Sequence, residues 1–63
     1  MPHIIVQMLE GRTPEQKKAL IAGVTKVVCE TCATKPEAVS IAIFETTPHD
    51  WGKAGAPLSE RRT

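Results

Sequence analysis

Two short segments of this chain carry apolar side chains on both of their faces, and only one helix-forming stretch lies between them. Residues 3–9 read His-Ile-Ile-Val-Gln-Met-Leu. In a strand, successive side chains alternate, so Ile4, Val6 and Met8 share one face and His3, Ile5, Gln7 and Leu9 the other. Residues 39–45 behave alike, with Val39, Ile41 and Ile43 on one side and Ser40, Ala42 and Phe44 on the other. A strand–helix–strand unit of this size implies parallel strands joined by a right-handed crossover. Its single helix covers one sheet face, and the second, largely apolar face needs a cover of its own. In 63 residues that cover is another copy of the chain. The pattern therefore predicts an α+β fold: one domain over residues 1–63, a β-α-β subunit built for a homo-oligomer. Length argues the same way, because a chain this short buries only about 60% of its unfolded surface.

The helix has a clear start. Thr13 is placed as N-cap, Pro14 at the first helical position and Gln16 to close a capping box, with Glu15 in the first turn to suit the helix dipole. Leu20, Ile21, Val24, Val27, Val28 and Thr31 fall on one stripe at helical spacing, which predicts a helix from 14 to about 33. Pro36 disfavours helical geometry at Lys35 and ends it. The tail after Glu45 contains Pro48, Gly52, Gly55 and Pro57, and reads as a loop with a short hairpin that frays after Leu58.

Composition excludes several classes. A net charge of +1, with Phe44 and Trp51 as the only aromatics, gives no footprint for nucleic acid. No apolar run approaches the roughly 20 residues of a membrane span, and the N-terminus lacks the parts of a signal peptide. A cytoplasmic location is expected. Cys29 and Cys32 form a Cys-x-x-Cys pair, but near the C-terminal end of the helix, where the dipole opposes thiolate, and with no second pair to complete a zinc site. They read as unreactive thiols. A metal-binding or redox module, the alternative use of such a pair, would place it between the first strand and the helix, where this chain has Glu10-Gly11-Arg12. Neither a metal nor another cofactor is expected, since the chain offers no phosphate loop or ligand cluster.

Pro2 has the most unusual chemical potential. Removal of Met1 would leave it as a terminal secondary amine, able to act as a base; with Met1 in place the same nitrogen is a tertiary amide without basicity. A small second residue favours that removal. A free amine of this kind is normally protonated, and apolar surroundings or nearby cations make it a better base by disfavouring its charged form. Trp51 could supply the apolar wall and Arg12 the cation. Taken alone, Pro2 also suits the start of a strand, where its lack of a donor does no harm. Arg12 sits between a strand end and a helix start, a position that often serves ligands, and a guanidinium grips a carboxylate with two parallel hydrogen bonds. A solvated loop arginine is the plainer reading. Lys17 and Lys18 read as solvating the helix, and His3 and His49 as isolated strand or loop residues.

Pro2, then Val6-Gln7-Met8-Leu9-Glu10-Gly11-Arg12-Thr13, then Glu15-Gln16-Lys17 and Leu20-Ile21 together resemble the 4-oxalocrotonate tautomerase family. Ile41 to Glu45 and His49-Asp50-Trp51-Gly52 with Gly55 fit its pattern less specifically, and the likeness covers nearly the whole chain. It implies the tautomerase fold, dimers that join two β-α-β units into a four-stranded sheet, and a hexamer built as a trimer of dimers. It also implies a catalytic Pro2, an Arg12 that binds a carboxylate and draws electron density away, and a Leu9 whose backbone amide helps bind the substrate oxygen. Trp51 stands where an aromatic walls the pocket. Such sites combine neighbouring chains, so Pro2 and Arg12 could serve one site from different subunits.

Ser40 departs from that pattern. The best-known members hold the other carboxylate and the 2-hydroxyl with an arginine at this position, and a serine offers one hydrogen bond and no charge. Lys35, Arg61 or Arg62 of another chain are candidates to compensate. The resemblance implies a cofactor-free isomerase acting on a small carboxylate, a 2-hydroxy-dienoate or enolpyruvate-type acid, with Pro2 as general base and Ser40 weakening dicarboxylate turnover. Two alternatives remain at this stage: Pro2 as general acid in hydration, dehalogenation or decarboxylation of an unsaturated acid, and an oligomer without catalysis if Met1 stays on.

Overall fold

The computed structural model describes residues 1–60; Arg61, Arg62 and Thr63, and with them two of the three candidate compensating residues, lie outside the described residues. Strand β1 spans His3–Leu9, helix α1 Pro14–Cys32 and strand β2 Ser40–Thr46. A hairpin of β3 (Gly52–Lys53) and β4 (Ala56–Pro57) follows, with single 3-10 turns at Pro36–Ala38, Pro48–Asp50 and Leu58–Glu60. β1 and β2 are parallel, in the register Ile4↔Ile41 and Val6↔Ile43 on one face and His3↔Ser40, Ile5↔Ala42 and Gln7↔Phe44 on the other. Alternation along β1 is clean, with Ile4, Val6 and Met8 half-buried and His3, Ile5 and Gln7 exposed. The helix lies on the face of Ile4 and Val6: Lys17, in its first turns, pairs with Glu45 near the end of β2.

The start of α1 follows the sequence closely. Thr13 accepts a hydrogen bond from the Gln16 backbone N–H (3.1 Å), and the Gln16 side chain accepts from the Thr13 N–H (2.9 Å), which completes the capping box. The end falls one residue earlier than the periodicity predicts. Ala33 takes a left-handed conformation (φ 52°, ψ 51°), and the Cys29 carbonyl accepts from the N–H of both Ala33 and Thr34. This is a Schellman-type stop, in a place where glycine is the usual occupant. An alanine there carries a steric penalty of about 1–2 kcal/mol. Ala33→Gly should accordingly raise stability by about 1 kcal/mol, read as a higher thermal midpoint at unchanged oligomeric state. β2 also begins one residue later than expected. The Val39 N–H is used to close the 3-10 turn on Pro36 O (3.1 Å), so the ladder opens with Ser40 N–H donating to Pro2 O (3.1 Å).

Leu58 N–H donates to Trp51 O (2.9 Å), and the turn it begins runs through Glu60, beyond which the expected fraying lies outside the described residues. Ala54 and Gly55 both have positive φ, the two-residue turn geometry whose twist matches that of the hairpin strands.

The apolar stripe of α1 is only partly covered. Leu20, Val24 and Val28 are half-buried, whereas Ile21 and Val27 are 40% and 56% exposed and Thr31 is exposed, its hydroxyl bonded back to Val27 O. Two strands at about 4.8 Å spacing are too narrow to cover so broad a stripe. No described side chain is buried. The accessible surface is 5075 Å², against about 4,000 Å² for a compact 6.8 kDa chain. The radius of gyration is 14.9 Å, against about 11 Å for a compact 63-residue chain. The subunit is thus an open plate, apolar on its free sheet face at Ile5 (58% exposed) and Phe44 (54%). Among the described residues no helix is long and apolar enough to cross a membrane.

Candidate active site

At the C-terminal end of β1 the chain makes a tight exit. Glu10 N–H still bonds to Thr46 O (3.0 Å), extending the ladder by one step, and Gly11 then turns at φ 122°, a conformation side chains rarely allow. Arg12 follows at once, exposed and one residue ahead of the helix cap. The turn Thr47–Asp50, held by Asp50 N–H to Thr47 O (3.0 Å) and by Thr47 Oγ1 to Asp50 Oδ2 (3.1 Å), brings Trp51 back towards the same end of the sheet.

These segments enclose an open cleft of about 570 Å³ that brings together Leu9, Arg12 and Trp51, three of the residues singled out from the sequence. Met8 and Leu58 add apolar wall, Glu10 a carboxylate, and Lys53 a second cation that the sequence reading passed over. Strand alternation carries the signal for it: Trp51 and Lys53 are two apart, so they point the same way. Among the described residues neither Arg12 nor Lys53 is in an ion pair, the one such pair being Lys17–Glu45. An anion with an apolar body matches this lining, the charge meeting Arg12 and Lys53 and the body meeting Trp51, Met8 and Leu58.

Pro2 and Ser40 are not in that cleft. They lie together at the opposite end of the sheet, joined by the Ser40 N–H to Pro2 O bond. Seven strand steps from Pro2 to Leu9 span about 23 Å. Within one chain the amine and the guanidinium therefore cannot touch one small ligand. The residues singled out from the sequence thus fall at the two opposite ends of β1. Met1 is fully exposed (101%). Ser40 Oγ lies 2.7 Å from His3 Nδ1. His3 had read as an isolated strand residue; only the strand register reveals its partner. Cys29 is half-buried and Cys32 exposed, both as free thiols in the last turn of α1.

Residues 2–61 match the sequence profile of the family described as tautomerase enzyme. The chain is 42% identical over 60 residues to the 2-hydroxymuconate tautomerase of Bacillus subtilis, covering 95% of this chain and 97% of that protein. It is 43% identical over 61 residues to a probable tautomerase of Bacillus cereus, covering 97% and 100%. Among solved structures it superimposes on TomN, a 4-oxalocrotonate tautomerase homologue of the tomaymycin biosynthetic pathway, with a TM-score of 0.93 at 40% identity, covering 95% of this chain and 92% of that one. It superimposes equally well (TM-score 0.93, 29% identity, 98% and 100% covered) on a subunit of the heterohexameric 4-oxalocrotonate tautomerase of Chloroflexus aurantiacus. A parallel β-α-β unit with its C-terminal hairpin, and relatives matched over nearly their full length, place this chain in the tautomerase family, as an isomerase of the 4-oxalocrotonate tautomerase type.

Proposed function

We propose that the protein converts a 2-hydroxy-dienoate or enolpyruvate-type acid between its enol and keto forms, with Pro2, freed of Met1, as the general base. The observation that carries this reading is the convergence of Arg12 and Lys53 with Trp51 in one cleft, at the end of the sheet remote from Pro2. A neighbouring copy then has to bring its Pro2 to the cleft, and the uncovered faces of the plate supply the means. We infer a homohexamer, a trimer of dimers, by analogy with the six-subunit relative.

In the reaction the Pro2 nitrogen takes the proton of the 2-hydroxyl. The electron pair moves through the conjugated chain, and the protonated amine returns the proton to a carbon further along, so that neither atoms nor charge change overall. Arg12 holds the carboxylate with two hydrogen bonds and stabilises charge that builds up towards it. The Leu9 backbone amide meets the substrate oxygen, and Trp51 excludes water. Lys53 gives the cleft a second positive charge.

The test is a ketonisation assay on 2-hydroxymuconate, which has two carboxylates, and phenylenolpyruvate, which has one. Hydrogen bonds to a charged group are worth about 1.5–3 kcal/mol. At tenfold per 1.36 kcal/mol, Arg12→Ala should lower kcat/KM on both substrates by about 10–100-fold. Arg12→Lys should recover only part, because an ammonium lacks the planar fork. Unchanged kcat/KM in Arg12→Ala would remove the guanidinium from the site.

A further inference from the structure

The His3–Ser40 pair is a polar cluster at one end of the free sheet face. Along the same side of the two strands follow Ile5 and Ala42, then Gln7 and Phe44. Ser40 is fixed twice: its N–H donates to Pro2 O (3.1 Å), and its hydroxyl meets His3 Nδ1 (2.7 Å). Three residues at one end of the sheet are thus locked into one unit. The contact admits either tautomer; in the one where the serine hydroxyl donates to Nδ1, the ring proton resides on Nε2. Among the described residues Nε2 has no partner. Covering this face would leave that donor unsatisfied, which is costly unless something accepts from it. The Pro2 nitrogen lies at the strand end, one residue before His3 in the chain.

We propose that His3 is a substrate-binding residue of the Pro2 half-site: its Nε2–H donates to a carboxylate or enol oxygen of the substrate, and Ser40 is the positioning residue that sets the ring's tautomer and direction. This rests on the tautomerase reading above and gives Ser40 a role other than that of a lost arginine. The unit supplies a directional donor. Such a group suits an oxygen beside the reacting centre, while the charged cleft at the far end of β1 takes the carboxylate.

Two measurements test it. In kinetics on phenylenolpyruvate and 2-hydroxymuconate, His3→Leu should lower kcat/KM by about 10–100-fold, the range for a hydrogen bond to a charged group. His3→Gln, which keeps an N–H donor, should recover part of that loss, and Ser40→Ala should lose less than His3→Leu. In 15N NMR of the unmutated protein, the His3 Nε2 resonance should shift on titration with phenylpyruvate, and the same titration on Pro2→Ala should still show it. The NMR readout does not depend on turnover, so it separates failure of this proposal from failure of the base mechanism. A His3→Leu protein with kcat/KM within twofold of wild type, or an Nε2 resonance that phenylpyruvate leaves unmoved, would reduce the pair to a cross-strand contact.

Discussion

Pro2→Ala should lower kcat for ketonisation by about 10²–10⁴-fold, the range that a positioned proton-transfer group contributes. The loss stays short of total because alanine still ends in an amine, now a primary one that is less rigidly held. Retention of Met1 is the harsher change, since an amide nitrogen has no basicity to offer; intact-mass measurement of each preparation separates the two cases. The fold is not the cause of either loss. Ser40 bonds to the carbonyl of residue 2, a backbone group that the substitution keeps. The direction of the pH profile identifies the role. A base works as the neutral amine, so kcat/KM should rise with pH through the amine's pKa and level off above it; a proton donor in hydration or decarboxylation would show the falling limb instead. Equal rates for wild type and Pro2→Ala would end the amine mechanism.

Phe44→Glu should abolish assembly and, with it, cooperative folding. Phe44 is 54% exposed on the free sheet face, next to the equally open Ile5, and the subunit has no buried side chain among its described residues to hold it together alone. A single small core rarely supplies more than about 3–5 kcal/mol. An unpaired carboxylate forced into a subunit contact costs a similar amount, about 3–5 kcal/mol. The two nearly cancel, so the variant should elute as a monomer or aggregate in light scattering and lose its sigmoidal melt by circular dichroism. Phe44→Leu keeps the face apolar and should still assemble. Lys26→Glu, on an exposed part of α1, serves as the charge control and should behave as wild type. An intact oligomer in Phe44→Glu would mean that this face is not where the copies meet.

Local chemistry and the parallel order of the two strands were legible in the sequence, and the side-chain meetings across the fold were not. The capping box at Thr13 and Gln16 depends on four consecutive residues, and the bounds of β1 and its two faces follow from alternation alone. The end of α1 carried no such mark, because an alanine occupies the left-handed position that a glycine would advertise. The onset of β2 was displaced by a 3-10 turn whose hydrogen bond captured Val39. Arg12 and Trp51 could be named from type and position, and Leu9 from the family resemblance, yet their meeting in one cleft depends on the hairpin folding back, and Lys53 arrives only with it. The contact of His3 with Ser40, 37 positions apart, exists only once the strand register is known.

If copies share sites as proposed, the length of β1 has an evolutionary consequence. Because the amine end and the guanidinium end of one chain lie about 23 Å apart, they are separable heritable units. After duplication of such a gene, one copy can lose Pro2 and the other Arg12, and a mixed assembly still forms complete sites wherever the intact ends face each other. Selection would then preserve both copies, each inactive alone, by dependence rather than by new activity. A single strand with one half-site at each end is enough to turn a self-assembling chain into an obligate pair.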